Sequence, residues 1–263
     1  MVVIKKDIVF DKKNNLKTDI YFPNDTDSKT KILIFWHGGG WFHGSKDDVK
    51  DYGIRFANAG FMTLIPDYRL APEYTFPAAH DDSKTFVNWL LDSQYTDQDD
   101  LKNIVQIGAS VGGTLALYIA GQYGFPTVTW SAPVDFSKWM QDHKDTKPSK
   151  DAATDFGLTD PVAIKESFYK FFTETYAGQA ANLIKMDATS YDYQKLSHLF
   201  MINSAKELNP LKSVLNFVDF LANDNHEVQL LVIKGTGHAM AYAKDYVDES
   251  LDYLYQTIKG AKE

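Results

Sequence analysis

The sequence predicts an α/β fold in which a mostly parallel sheet is covered by helices on both faces. Segments of strand character alternate with segments of helix character along most of the 263 residues, the arrangement typical of parallel sheets. Two of the predicted strands, 31–36 and 61–66, are apolar apart from Lys31 and Thr63, as expected for strands buried on both faces. A tight glycine–serine turn between a third strand and a helix, at 108–112, supports the same fold class.

The first half of the chain predicts these elements in order. Strands at 2–10 and 16–21 flank a polar turn, and a polar loop follows at 24–30. The alternation then runs through a strand at 31–36, a helix at 49–59, a strand at 61–66, a helix at 78–92 and an acidic linker at 96–100. Gly60 ends the first of these helices, because glycine readily adopts the left-handed conformation of a helix C-terminus.

The second half contains one break in the alternation. A strand beginning at Ile104, the glycine–serine turn, an apolar helix and a strand at 127–131 come before the break. Residues 137–195 are polar and aromatic and predict one helix, at 161–176. The alternation resumes with a strand at 199–204, a helix at 211–223, a strand at 228–233 and a helix at 241–259. We therefore predict one domain over 1–263, with 137–195 as a cap inserted after the sixth strand of the sheet.

Composition and charge exclude several classes of function. The net charge of −8 argues against non-specific binding to nucleic acid or to anionic membranes, since both need basic surfaces. The absence of cysteine excludes a thiolate nucleophile and cysteine metal sites. No apolar run is long enough for a membrane span or for a signal peptide, so a cytoplasmic protein is the expectation.

Ser110 is the candidate nucleophile. It lies in Gly-Ala-Ser-Val-Gly, between a β-branched run and an apolar helical run. This strand–turn–helix context is the one in which Gly-x-Ser-x-Gly forms a nucleophile elbow. Gly108 and Gly112 leave room for the tight turn, which holds the serine hydroxyl clear of the backbone at the positive end of a helix.

His238 is the candidate general base. A serine hydroxyl is a poor nucleophile without a base in hydrogen-bond reach. Of the seven histidines, His238 alone lies in a glycine-flanked loop directly after the last predicted strand, and sites of α/β proteins form at such strand ends. The order serine, acid, histidine also favours it. The other six histidines are predicted to be structural or exposed, with His37 bracing the glycine-rich loop that it begins.

A run of three glycines predicts an oxyanion hole. The run lies in His-Gly-Gly-Gly-Trp at 37–41, directly after a predicted strand. Acyl transfer places negative charge on the carbonyl oxygen, and backbone N–H groups aimed at that oxygen stabilise it. We expect the N–H groups of Gly39, Gly40 and Val111 to be these donors. A phosphate-binding loop is the alternative, but neither standard glycine motif for phosphate occurs.

Together these motifs resemble the hormone-sensitive-lipase-like carboxylesterases, near their short bacterial esterases. The resemblance includes the 37–41 motif, Asp-Tyr-Arg-Leu-Ala-Pro-Glu at 67–73, the serine turn and Gly237-His238. It implies an α/β-hydrolase fold with an eight-stranded sheet, a Ser–acid–His triad, a glycine-rich oxyanion loop, and no cofactor or metal. It implies that the 67–73 loop shapes the wall of the site, with Arg69 and Glu73 as a structural ion pair. The short N-terminus lacks the cap helices that many relatives carry there.

The triad acid departs from the pattern of these relatives. They often carry it in Asp-Pro-Leu, and here the tripeptide is Asn-Pro-Leu, beginning at Asn209. The same loop follows the strand at 199–204, beside the expected position of His238, and its one acid is Glu207. Glutamate serves as the acid in several α/β-hydrolases. We therefore hypothesise that Glu207 orients His238, while an exposed Glu207 and a weakened triad at position 209 remain the alternatives.

The sequence predicts a serine carboxylester hydrolase that works through an acyl-enzyme on short-chain acyl esters. Trp41, Tyr68, Phe136 and the aromatic-rich cap are predicted to line the substrate pocket, with ordinary core packing as the alternative for each aromatic residue. An amidase, formamidase or peptidase would use the same triad, and a non-catalytic binding protein would keep the fold alone. The expected partner is a small-molecule ester, with no nucleic acid or membrane, and the oligomeric state stays open between a monomer and a homodimer.

Overall fold

The fold is an eight-stranded, mostly parallel sheet with helices on both faces, as the sequence predicts. A computed structural model of the chain describes residues 2–24, 31–97 and 100–260. Most of the loop predicted at 24–30, and two residues of the linker predicted at 96–100, lie outside these ranges. Numbered in chain order, the eight strands lie side by side in the order 1-2-4-3-5-6-7-8.

The strand boundaries agree closely with the predicted ones. The strands are β1 (Val3–Asp11), β2 (Leu16–Phe22), β3 (Lys31–Trp36), β4 (Phe61–Pro66), β5 (Ile104–Ala109), β6 (Thr127–Trp130), β7 (Leu199–Ser204) and β8 (Val228–Ile233). β1 pairs with β2, and β2 with β4, in antiparallel fashion, and the remaining neighbours are parallel. The carboxyl ends of β3, β5, β6, β7 and β8 therefore lie along one edge of the sheet, where the candidate site residues follow.

Helices cover both faces of the sheet. Within the described residues they are α1 (Lys50–Asn58), α2 (Ala78–Leu91), α3 (Val111–Tyr123), α4 (Ser137–Asp142), α5 (Ala152–Phe156), α6 (Pro161–Ala177), α7 (Leu183–Met186), α8 (Leu211–Asn223) and α9 (Met240–Gly260). α1 and α9 pack on one face, and α2, α3 and α8 on the other. None of the described helices is both long and apolar enough to cross a bilayer.

The apolar run of β3 shows why the central strands contain few polar residues. Ile32 and Ile34 pack under α2 and α3, while Leu33 and Phe35 pack under α1 and α9. All four side chains are buried. Because successive side chains of a strand point to opposite faces, a strand between two helical layers is apolar at most positions.

The segment between β6 and β7 contains more helix than the sequence predicts. We predicted one helix there, and the structure has α6 together with the shorter α4, α5 and α7. The prediction missed these three because helices of 4–6 residues are too short to show a helical period. The long α6 was predictable because Asp160 accepts hydrogen bonds from two N–H groups of its first turn and Pro161 follows.

The predicted ion pair of Arg69 with Glu73 is wrong. Arg69 instead contacts Asp82 on α2, with its Nη2 2.7 Å and its Nε 2.9 Å from Asp82 Oδ1. Asp82 is buried and also accepts the backbone N–H of Arg69 at 2.8 Å. Residues four apart in a loop need not face each other, whereas the helix that packs beneath the loop places its carboxylate against the guanidinium.

A buried histidine joins α2 to the segment between β6 and β7. The two ring nitrogens of His80 each lie 2.9 Å from a tyrosine hydroxyl, Nδ1 from Tyr176 and Nε2 from Tyr191. Tyr191 donates its proton to Met186 O at 2.8 Å, so it accepts from His80 Nε2–H. Tyr176 accepts the N–H of Ala79 and donates to His80 Nδ1. The neutral ring satisfies both hydroxyls, and burial lowers the pKa of His80 to about 3.

We expect His80 to make the protein less stable in acid. Its pKa in the unfolded chain is about 6.5 and in the folded chain about 3. As pH falls between these values the unfolded state takes up the proton and the folded state does not. The free energy of unfolding then decreases by about 1.4 kcal/mol per pH unit. Urea unfolding of wild type and His80→Gln between about pH 6 and about pH 5 tests this linkage.

The variant should have a pH slope smaller by about that amount. His37, which is also buried and neutral, remains in both proteins and cancels from the comparison. Equal pH slopes for wild type and His80→Gln would contradict the assignment.

Candidate active site

Ser110 lies at the sharp turn between β5 and α3. Its backbone has φ of 53° and ψ of −127°, a strained conformation for a residue with a side chain. β3 passes close to the first turn of α3. A Cβ on Gly112 would collide with the carbonyl oxygens of Trp36 and His37, so the turn can form only with glycine at this position.

His238 lies in the loop between β8 and α9 and reaches Ser110 across the edge of the sheet. Its Nε2 lies 2.9 Å from Ser110 Oγ. The loop is anchored on both sides of the ring, because Ser204 Oγ donates to Gly237 O at 2.6 Å and Ala241 N donates to His238 O at 3.0 Å. The imidazole is a quarter exposed, so one side of it faces the open cavity.

Glu207 lies behind His238, and its side chain is fully buried. Its Oε2 accepts a hydrogen bond from His238 Nδ1. Its Oε1 accepts two more, from the backbone N–H of Ser204 at 2.7 Å and from Ser131 Oγ at 2.8 Å. The structure therefore brings Ser110, His238 and Glu207 into one continuous hydrogen-bonded line.

Asn209 does not contact His238 through a hydrogen bond. It is buried, and its Nδ2 donates to the backbone carbonyl oxygen of Ser131. The two candidate acid positions thus have different neighbours: Glu207 faces the imidazole, and Asn209 faces the backbone at the end of β6.

The glycine-rich loop after β3 contains N–H groups that donate to no described backbone acceptor. Gly39 and Gly40 have φ of 118° and 60°, which glycine adopts at little cost. Gly39 O accepts the N–H groups of Phe42 and His43, both at 3.1 Å, which closes the loop. Within the described chain, the N–H groups of Gly39, Gly40 and Val111 donate to no other backbone group. The N–H of Val111 is unused because the first residue of a helix has no intrahelical acceptor.

His37 and Tyr68 stack behind this loop. Their rings are 4.2 Å apart and inclined by 9°. His37 Nδ1 lies 2.8 Å from Gly38 O, and the Tyr68 hydroxyl donates to His37 O at 2.8 Å. Burial lowers the pKa of His37 to about 4, so the ring is neutral and its Nδ1–H donates to Gly38 O. These contacts hold the loop in one conformation.

A cavity of about 740 Å³ opens onto Ser110 and His238. One wall is apolar and comes from segments distant in sequence, namely Phe168, Phe172, Leu208 and Met240. The lining also includes the polar residues His43, Ser45 and Asp48 from the segment after the glycine-rich loop. The cavity at the candidate nucleophile therefore has both apolar and polar lining residues.

Trp41, Tyr68 and Phe136 do not belong to the cavity wall. All three are buried and pack in the layer behind it. Trp41 stacks on Tyr176 at 4.3 Å and lies 5.6 Å from Phe136. The structure therefore supports core packing for these three aromatic residues, and other residues line the cavity.

The sequence predicts that the aromatic-rich cap lines the pocket, but it does not identify which of the cap residues do so. Phe168 and Phe172 are four residues apart on α6 and so share one face of it. That spacing could have identified an apolar face, but the docking of α6 over the serine depends on the fold of the whole segment between β6 and β7.

Within the described residues, no group of three or more His, Asp or Glu side chains could hold a metal ion.

The chain matches a known protein family and, over part of its length, curated proteins. The model of the BD-FAE family matches residues 18–196, more than half of the chain. The chain is 32% identical over 132 residues to tuliposide A-converting enzyme 2 of Tulipa gesneriana, covering 45% of this chain and 35% of that protein. It is 36% identical over 91 residues to ethyl acetate hydrolase of Pseudomonas putida, covering 34% of this chain and 29% of that protein.

These matches cover about a third of the length of the curated relatives. The fold likeness extends further. The crystal structure of esterase B from Lactobacillus rhamnosis superposes with a TM-score of 0.75 at 15% identity, covering 99% of this chain and 87% of that one.

Proposed function

The chain belongs to the BD-FAE family and is similar to the hormone-sensitive-lipase-like carboxylesterases. From that premise we propose that it is a serine carboxylester hydrolase that works through an acyl-enzyme. The observation that carries the proposal is the hydrogen-bonded line from Ser110 through His238 to the buried Glu207, opening onto a cavity of about 740 Å³. The name of the Pseudomonas relative, an ethyl acetate hydrolase, supports small esters as the substrate class.

In the proposed reaction Ser110 Oγ attacks the ester carbonyl carbon while His238 Nε2 accepts its proton. Glu207 accepts the Nδ1–H of His238, keeps the ring in the required tautomer and stabilises the imidazolium. The imidazolium then protonates the leaving alcohol. In the second half of the reaction His238 takes a proton from water, the resulting hydroxide attacks the acyl-enzyme, and Ser110 is released with its proton.

The proposed oxyanion hole is formed by the N–H groups of Gly39, Gly40 and Val111. Each is free of other backbone acceptors. One well-placed donor of this kind contributes about 3–4 kcal/mol to stabilising the transition state. The ring of His37 supports the donors indirectly, since it holds the carbonyl of Gly38 and leaves the following N–H groups to face the cavity.

We propose short-chain acyl esters as the preferred substrates. Behind the glycine-rich loop the space is filled by Trp41, Phe136 and Tyr176, so a long acyl chain has no deep channel there. α6 lies directly over the loop: a Cβ on Gly40 would come within 3.0 Å of Phe172 Cβ. We also propose that residues 137–195, which carry α4 to α7, act as the cap over the site.

A panel of p-nitrophenyl esters tests both the activity and the chain-length preference. Acetyl, butyryl, hexanoyl, decanoyl and palmitoyl esters would be compared with the matching p-nitroanilides. We expect kcat/KM to be highest for the acetyl or butyryl ester and to fall for longer chains, because the filled layer behind the loop cannot admit them. The anilides should react far more slowly.

Each rate is to be corrected with the rate of Ser110→Ala protein, which reports hydrolysis that does not use Ser110. A maximum at the palmitoyl ester would contradict the chain-length preference, and faster cleavage of the anilides would favour an amidase.

A further inference from the structure

Ser131 is a buried residue directly after β6, in a backbone conformation that serine rarely adopts. Its φ is 54°, and its side chain is fully buried. Its N–H donates to Ile202 O at 2.8 Å, and its carbonyl accepts Asn209 Nδ2. A strained conformation of this kind persists only where surrounding contacts hold it, and such positions cluster at functional sites.

The hydroxyl of Ser131 has three partners. It lies 2.8 Å from Glu207 Oε1, 2.9 Å from the backbone N of Ala239 and 2.8 Å from the Tyr242 hydroxyl. A hydroxyl has one proton to donate and two lone pairs to accept with. The carboxylate only accepts and the backbone N–H only donates, so Ser131 donates to Glu207 and accepts from Ala239. The remaining lone pair is available to Tyr242.

Tyr242 is suited to be that donor. Burial first, and then the charge of Glu207, raise the pKa of Tyr242 well above its usual range, so the phenol keeps its proton. Its hydroxyl also donates to Ile202 O at 2.8 Å, a carbonyl that the N–H of Ser131 reaches as well. The phenol has one proton, so Tyr242 can give it to Ile202 O or to Ser131 Oγ, and the N–H of Ser131 keeps Ile202 O satisfied when Tyr242 donates to Ser131.

Building on the proposed hydrolase function, we propose that Ser131 is a positioning residue for the catalytic triad. Its one oxygen holds the carboxylate of Glu207 and the backbone directly after His238. Ala239, with φ of 45°, is itself strained and is held by this bond. Ser131 thereby sets the distance between Glu207 and the imidazole from both sides.

The position of the acid explains why such a residue is needed. Glutamate has one more rotatable bond than aspartate, so its carboxylate is less well fixed by its own backbone. Ser131 Oγ and Ser204 N restrict it to one orientation. Hydrogen bonds to charged groups are stronger than neutral ones. Asn209, at the position where relatives carry the acid, contributes by bonding to the carbonyl of Ser131.

Two substitutions at one position separate the hydroxyl from the backbone conformation. Ser131→Ala removes the hydroxyl and keeps the Cβ, while Ser131→Gly removes it and also relieves the positive φ. We expect kcat on p-nitrophenyl butyrate to fall roughly 10- to 100-fold in both, the range found for residues that orient metal ligands. KM should stay within about twofold, because substrate binding does not use Ser131.

Two further variants control the experiment. Tyr242→Phe removes the phenol hydroxyl, which contacts Ser131 Oγ and Ile202 O, and should lower kcat less, about 3- to 10-fold. Ser250→Ala deletes another fully buried serine hydroxyl, one that contacts the neighbouring Trp130 Nε1 at 3.0 Å. Its kcat should match wild type even where its thermal stability falls. If Ser131→Gly kept wild-type kcat, the proposal would be overturned, since the backbone conformation and not the hydroxyl would matter.

A readout independent of activity tests the same point. The proton shared by His238 Nδ1 and Glu207 should give a low-field proton NMR signal in wild type and in Ser250→Ala. We expect this signal to move or broaden in Ser131→Ala and Ser131→Gly, and an unchanged signal in folded protein would refute the positioning role. If wild type hydrolysed no ester, the proposed function would fail, and the NMR comparison would still decide whether Ser131 positions Glu207. Should Ser131→Ala not fold, Ser131→Gly and Tyr242→Phe carry the test.

Discussion

Replacing Ser110 with alanine should abolish ester hydrolysis. Within the described residues, Ser110 Oγ is the hydroxyl in hydrogen-bond reach of His238 Nε2, at 2.9 Å. Loss of a serine nucleophile in a triad lowers kcat by about 10⁴- to 10⁶-fold, with a residual rate from the oxyanion hole. The measurements are steady-state kcat on p-nitrophenyl butyrate and covalent labelling by an organophosphate, which should also disappear.

Ser45→Ala provides a matched control for Ser110→Ala. Ser45 lines the same cavity, and its hydroxyl donates to Asp48 at 2.9 Å, outside the triad. This variant should be labelled as fast as wild type. The Ser110→Ala protein should fold with a free energy of unfolding within about 1 kcal/mol of wild type, since only one small polar atom is lost. Substantial remaining kcat or labelling in Ser110→Ala would show that another residue is the nucleophile.

Replacing Glu207 with glutamine should lower kcat by about 10²- to 10⁴-fold. The carboxylate accepts three hydrogen bonds, from His238 Nδ1, Ser131 Oγ and Ser204 N. A glutamine amide has one accepting oxygen and one donating NH₂ group. Either the NH₂ faces His238 Nδ1–H, or it faces the donors on the other side. In the first orientation Nδ1 of His238 must accept, so the ring carries its proton on Nε2, the wrong tautomer for a base. In the second orientation the NH₂ group faces Ser131 Oγ and Ser204 N, two donors from which it cannot accept.

Variants at position 209 serve as the comparison for Glu207→Gln. Asn209→Ala loses a single hydrogen bond to Ser131 O, so kcat should fall by less than about tenfold. Asn209→Asp would place a carboxylate against that carbonyl oxygen, so it should lower stability and give no gain in rate. If Asn209→Asp instead raised kcat sharply while Glu207→Gln changed little, the acid would act from position 209.

The fold and half of the candidate site could be predicted from the sequence. The apolar runs of β3 and β4 and the resumed alternation after 199 identify the sheet, because burial between two helical layers imposes that pattern locally. Ser110 and the glycines at 38–40 were recognisable because a tight turn and a close backbone approach both demand glycine at fixed spacings. His238 followed from its place after the last strand.

Other features depended on the tertiary structure. The sequence left Glu207 and Asn209 as rivals, since residues two apart in one loop carry no local signal of which faces the imidazole. Likewise, no local pattern connects Ser131 to Glu207 or Arg69 to Asp82. Periodicity and turn chemistry report a residue's own backbone and its degree of burial. The partner of a polar side chain is decided when strands distant in sequence end side by side at one edge of the sheet.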